Sequence, residues 1–150
     1  MEVSKIDSII RQYGGRESAI LAILQDIQAE EKYLPKETLE YVSQRMEIPL
    51  GQVFRIATFY NALSLKPRGR HKIDVCLGTA CHVRGGERIL SKLERDLGVT
   101  VGETTKDKRF TLESVHCVGC CSLGPVAVID GDVFGRLSQD KVPALLKDFK

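Results

Sequence analysis

A chain of 150 residues, 43% hydrophobic and 28% charged, has the composition of a soluble globular protein of one domain, or one domain with a helical extension. Its net charge of +2 lacks the basic stripe of a dedicated nucleic-acid binder. The longest apolar stretch, AILAIL at 19–24, is too short to insert across a bilayer, and the N-terminus shows no signal peptide, so a cytoplasmic protein is expected.

Apolar residues recur at helical spacing from residue 4 to about 64. Ile6, Ile9 and Ile10 form one stripe; after a break at Gly14–Gly15, a second runs through Ile20, Leu21, Leu24, Ile27 and Gln28. Pro35 and Pro49 are expected at the first helical position of PKETLEYVSQRM and PLGQVFRIATFYNAL. These make four helices, a small bundle assigned to residues 1–65. LKPRGRHK at 65–72 reads as a linker.

The pattern then changes, and residues 66–150 are assigned to a second domain. KIDVCLG is a short strand. GGERILSKLERDLG is an amphipathic helix with Ile89, Leu90, Leu93 and Leu97 inward and Gly98 as its stop. RFTLESVHC alternates as a strand through Phe110 and Leu112 and, after a change of register, Val115. PVAVIDGDVFGRL is a hairpin turning at Asp130–Gly131. SQDKVPALLKDF closes the chain as a helix with Ser138 as N-cap. The sum, β-α-β-β-α around a small mixed sheet behind a helical bundle, is an α+β fold.

Five cysteines stand in two groups, Cys76 and Cys81, then Cys117, Cys120 and Cys121. In a cytosolic chain such thiols are metal ligands or redox groups more often than structural disulfides. Cys76 to Cys81 is C-x4-C and Cys117 to Cys121 is C-x3-C, each on a loop at a strand end. Loops leaving one edge of a sheet can meet, so four thiolates can converge. Small residues between them (Gly78, Thr79, Ala80, Gly119) let backbone N–H groups approach sulfur.

Several readings are open at this point. The thiols can be plain buried groups. They can hold structural zinc, for which the C-x2-C pair Cys117–Cys120 is usual, or a [2Fe–2S] cluster on four cysteines. Cys117 and Cys120 can also exchange disulfides, although a redox C-x-x-C usually opens a helix after a first strand. His82 and His116 adjoin the cysteines and are read as neighbours of the site, not ligands; His71 closes the linker without a role. Arg84, with the helix start at Gly85–Gly86, is either a charge favouring a reduced cluster or a solvated side chain. No G-x-G-x-x-G follows a strand and no Walker loop occurs. RGGER at 84–88 reads as a helix start, so the chain alone is not expected to oxidise a nicotinamide nucleotide.

The C-x4-C-x35-C-x3-C frame stands with ATFYNALSLKPRGRH at 57–71, CHVRGGERIL at 81–90 and GPVAVIDGDVFGRLS at 124–138. Together they resemble the thioredoxin-fold [2Fe–2S] subunit of the respiratory complex I type. The same family supplies the small subunit of NAD(P)-dependent [FeFe]-hydrogenases and formate dehydrogenases. The resemblance implies a helical bundle beside a thioredoxin-like domain, and one [2Fe–2S] cluster on Cys76, Cys81, Cys117 and Cys121. It implies that Cys120, where the family usually has a small residue, does not ligate. No catalytic residue is implied: FMN and NAD(P)H belong to a partner flavoprotein with its own [4Fe–4S] cluster, beside a larger iron–sulfur catalytic subunit.

A soluble electron-bifurcating or NAD(P)-linked [FeFe]-hydrogenase is the leading setting. Respiratory complex I (NADH:quinone oxidoreductase) and an NAD-dependent formate dehydrogenase are alternatives; a zinc-stabilised adaptor module is an alternative of another class. Lys66, Arg68, Arg70 and Lys72, with the helix faces of the bundle, are candidate docking surfaces, although charge runs are usually solvated.

Overall fold

The helical spacing of the first part of the chain folds as four helices: α1 (Val3–Gln12), α2 (Ile20–Glu31), α3 (Lys36–Met46) and α4 (Leu50–Phe59). The structure, a computed structural model, describes residues 2–149 and divides into two units, Met1–Pro67 and Arg68–Lys150. In the first, Ile6, Ile9 and Ile10 of α1 meet Ile23, Leu24 and Ile27 of α2, Leu39 and Val42 of α3, and Val53 and Ala57 of α4 in one core.

Polar ties then fix the helices on that core. The Tyr41 hydroxyl and the Arg45 Nε of α3 both donate to Asp7 Oδ1 of α1, at 2.9 and 2.8 Å. The Tyr13 hydroxyl donates to Asp26 Oδ2 at 2.7 Å.

Three boundaries differ from expectation. Pro35 and Pro49 are N-caps, one residue before the helices: each is extended in ψ while its carbonyl accepts the first helical bond, from Leu39 and Val53 at 3.2 Å. Helix α4 ends at Phe59, because Tyr60 turns extended. Residues 62–64 are instead held by Gln28, whose Nε2 donates to the Ala62 carbonyl and whose Oε1 accepts from Ser64 N–H. Gln28 closes the α2 stripe as a polar pin for that loop.

The second unit is built on a four-stranded mixed sheet of order β2-β1-β3-β4: β1 (His71–Cys76), β2 (Phe110–Val115), β3 (Ala127–Ile129) and β4 (Asp132–Phe134). Both arms of the hairpin join it, so there is one more strand than the β-α-β-β-α sum counts. Asp130 and Gly131 take positive φ, 53° and 97°, at its turn, as the tight hairpin requires.

Strands β1 and β2 are parallel, from His71 opposite Phe110 to Cys76 opposite Val115. A parallel pair needs a crossover, supplied by a short helix α5 (Thr79–Val83) and by α6 (Gly86–Leu97). One sheet face carries Ile73, Val75, Leu112, Ala127 and Ile129; Ile89 and Leu93 of α6 and Val142 and Leu145 of α7 (Val142–Asp148) complete its core. Leu90 and Leu97 pack at the margin of that core, half-buried.

Three further details depart from the sequence reading. Ser138 caps no helix: α7 starts at Val142 behind Lys141, whose N–H bonds the Ser138 carbonyl in a preceding turn. Val115 needs no change of register; simple alternation places it on the opposite face, against the apolar patch of Cys76, Cys81 and Val126. Residues 68–72 are not a free linker. Arg68 lies 3.4 Å from Glu113, and Lys72 reaches Asp74 at 2.9 Å and Glu113 at 3.1 Å, so these two basic groups are engaged within their own unit. Among the described residues, no helix is long and apolar enough to cross a membrane.

Candidate metal centre

The parallel pairing of β1 with β2 decides where the cysteines meet. Cys76 is the last residue of β1 and stands beside Val115, the last of β2. Cys117 therefore leaves the sheet two residues beyond the partner of Cys76. Gly78 carries the chain out of β1 so close to this second segment that a Cβ there would lie 2.4 Å from the His116 carbonyl oxygen. Only glycine fits that approach. Cys81 comes next on α5, which sequence periodicity misses because it has only five residues.

The four thiols of the C-x4-C and C-x3-C pairs are brought together. Cys76 and Cys81 are buried, each 1% exposed, whereas Cys117 and Cys121 are exposed. The Cys117 and Cys121 sulfurs are 3.8 Å apart. Two thiolates on one tetrahedral metal, at a metal–sulfur distance of about 2.3 Å, stand roughly 3.8 Å apart. Among the described residues, no three Cys, His, Asp or Glu side chains surround a single point. The Cys76 thiol neighbours those of both Cys81 and Cys117, and the Cys81 thiol neighbours those of Cys76 and Cys121.

Backbone N–H groups point at the sulfurs. Gly119 N–H donates to Cys117 Sγ at 3.3 Å; those of Gly78 and Val118 serve Cys76, and that of Val126 serves Cys81. Burial by itself would push the Cys76 thiol up. The Gly78 and Val118 N–H groups, with the neighbouring Cys81 and Cys117 thiols, outweigh it and hold Cys76 below its ordinary value. Burial and then Cys76 push Cys81 up, and the hydrogen bond with Cys117 pushes Cys121 up. The thiols of Cys81 and Cys121 are thus harder to ionise beside their neighbours, and thiols that bind a metal give up their protons to it. The site thus has four neighbouring sulfurs, hydrogen-bond donors aimed at them, and one open side.

Cys120 is placed differently. Its thiol lies 3.9 Å from the Val118 carbonyl, and its side chain, half-buried, packs on the patch of Cys76, Cys81 and Val126. His82 stands 3.6 Å from Glu87 and His116 is exposed. His71 is occupied elsewhere: its Nδ1 lies 2.5 Å from Asp130, and its ring packs against Phe110 and Phe149.

Sequence reasoning treated Arg84 as a charge and missed its contacts. Its Nη1 donates to the carbonyls of Cys121 and Ser122. It also missed Gly124, where a Cβ would meet Cys81 Sγ at 3.2 Å. No local signal marks either role, since both depend on segments some 40 residues apart in sequence.

Known proteins resemble the chain along most of its length. It is 32% identical over 134 residues to the NADP-reducing hydrogenase subunit HndA of Solidesulfovibrio fructosivorans, covering 89% of this chain and 78% of that one. It is 37% identical over 143 residues to an NADH-quinone oxidoreductase subunit of Rickettsia conorii, covering 93% and 86%. A crystal structure of an NAD+-reducing [NiFe]-hydrogenase in the air-oxidized state superposes with a TM-score of 0.74 and 23% identity over 87% of this chain. That match spans 22% of the much longer hydrogenase chain and speaks for the fold alone. The family described as thioredoxin-like [2Fe–2S] ferredoxin matches residues 6–150, and with the helical bundle, the mixed sheet and the paired thiols already in place, the chain belongs to that family.

Proposed function

We propose that this chain is the electron-transfer subunit of a multi-subunit NAD(P)H-linked oxidoreductase, and that Cys76, Cys81, Cys117 and Cys121 hold its [2Fe–2S] cluster. Such a cluster, once bound, accepts and returns one electron at a time. The observation that carries the ligand set is the pairing of Cys76 with Val115. It sets one thiol pair beside the other, with the Cys117–Cys121 separation matching two ligands of one tetrahedral iron. Cys120 is assigned as non-ligating, its thiol turned to the Val118 carbonyl.

The chain's own residues prepare the site. N–H groups of Gly78, Val118, Gly119 and Val126 stabilise negative sulfur. Such bonds, with burial, set the reduction potential. Cys76 and Cys81 face the interior, so exchange of electrons with another protein is assigned to the exposed Cys117–Cys121 side. Val83, two residues after Cys81, and Leu123, two after Cys121, are 79% and 38% exposed, an apolar margin suited to a protein partner.

That partner is assigned as an FMN- and NAD(P)H-binding flavoprotein with its own [4Fe–4S] cluster, which supplies the two-electron chemistry that this chain lacks; the chain itself is not catalytic. A soluble NAD(P)-linked hydrogenase with a larger iron–sulfur catalytic subunit is favoured by the match to the NADP-reducing hydrogenase subunit. The matches to NADH-quinone oxidoreductase subunits support the second reading, a respiratory complex. The test is reduction of the purified chain by NADH or NADPH, followed by bleaching of its visible absorption. Bleaching is expected only when the co-expressed flavoprotein is present. Bleaching of the chain alone, or none with the flavoprotein, overturns the assignment.

A further inference from the structure

Arg84 follows α5 and precedes the Gly85 turn into α6, so it belongs to the segment that carries Cys81. Its guanidinium crosses to the other cysteine segment. Nη1 donates to the carbonyl oxygen of Cys121 at 3.1 Å and to that of Ser122 at 3.2 Å. The stem runs beside Gly124, whose missing Cβ would stand 3.4 Å from Arg84 Cδ and 3.2 Å from Cys81 Sγ. Arg84 and the Cys81 sulfur thus both lie against the backbone of 121–124.

The turn that Arg84 grips has few other anchors. Its remaining backbone bonds include local ones, Leu123 N–H to Cys120 and Gly124 N–H to Cys121, with Arg136 N–H on the Leu123 carbonyl at its far end. Cys121, Ser122 and Leu123 are all exposed, so no apolar burial holds the near end where Cys121 sits. A charged donor on two carbonyls is a stronger tie than a neutral one.

We propose that Arg84 is a positioning residue: it clamps the Cys121 turn onto the Cys81 helix, fixing one cysteine segment against the other, and sets a positive charge on the backbone of the Cys121 turn. The inference rests on the four-cysteine ligand set proposed above. The clamp slows opening of the turn, and with it loss of iron. The charge favours the state with the additional electron, because local charge sets the potential of such a centre. Lysine keeps the charge but not the planar fork of donors; glutamine keeps a donor but not the charge.

The experiment uses the full-length, iron-loaded chain as wild type and as Arg84→Ala, Arg84→Gln and Arg84→Lys. Three quantities are read: amide hydrogen exchange over 119–124, the rate of iron release to a chelator, and the reduction potential. In Arg84→Ala, exchange over this turn quickens and iron is released on the order of tenfold faster, equivalent to about 1.4 kcal/mol. Arg84→Gln shifts the potential downward, whereas Arg84→Lys keeps the wild-type potential but still releases iron faster than wild type. Wild-type exchange and iron release in Arg84→Ala overturn the clamp, as does a shifted potential in Arg84→Gln without any change in exchange in Arg84→Ala. A wild-type chain that binds no iron and sulfide fails before any variant is made, and that failure falls on the ligand set instead.

Discussion

Cys76 and Val115 stand side by side at the C-terminal ends of two parallel strands. That register places the C-x4-C loop and the C-x3-C loop at one edge of the sheet. The parallel pair in turn exists because α5 and α6 supply the crossover, and α6 has the apolar face, Ile89 and Leu93, to pack on the sheet. An amphipathic helix thus serves the metal site by fixing which strand ends are neighbours.

Single substitutions separate the ligands from the spare thiol. Cys117→Ala and Cys121→Ala are each expected to lose the bound cluster. Cys120→Ala is expected to retain it, because the Cys120 thiol is spent on the Val118 carbonyl. Iron and sulfide content per chain, with the visible spectrum, checks all three.

Gly78→Ala is expected to damage the site without touching a ligand. The new Cβ would lie 2.4 Å from the His116 carbonyl oxygen, forcing the two cysteine segments apart. Overpacking of this kind costs about 1–3 kcal/mol. Lower iron content and a lower melting temperature are the expected readings.

The bundle carries its own pH signature. The Arg45 hydrogen bond, and after it that of Tyr41, hold the Asp7 carboxyl below the usual carboxylate value. A group whose folded value is depressed contributes stability above its unfolded value, about 3.9, and loses that contribution as pH falls through the folded one. Urea unfolding is therefore expected to show wild type more stable than Asp7→Asn at pH 6, with the difference closing towards pH 3.

Large buried side chains of the bundle are expected to behave as core. Leu24 is fully buried among Ile6, Val53 and their neighbours, and Leu24→Ala is expected to cost about 2–5 kcal/mol. Helical circular dichroism during denaturation measures it.

Much of this was legible in the sequence, and the rest was not for identifiable reasons. Helical spacing gave the four bundle helices, and alternation with Asp130–Gly131 gave the strands and hairpin, because these patterns are local. The cysteine spacing marked the site. Thr79–Val83 is too short to show a helical period. Ser138 looks like a cap, but Val142 is where the helix begins. The contact of Arg84 with Cys121 and the crowding at Gly78 and Gly124 arise only when distant segments meet. Lys72 and Arg68 read as solvated charges because their partner, Glu113, lies on another strand.

Metal and acid-labile sulfide analysis of anaerobically purified chain, with electron paramagnetic resonance after one-electron reduction, tests the centre most directly. About two irons and two sulfides per chain, with a paramagnetic signal that appears on reduction, are expected. One zinc per chain, or iron without sulfide, would contradict it.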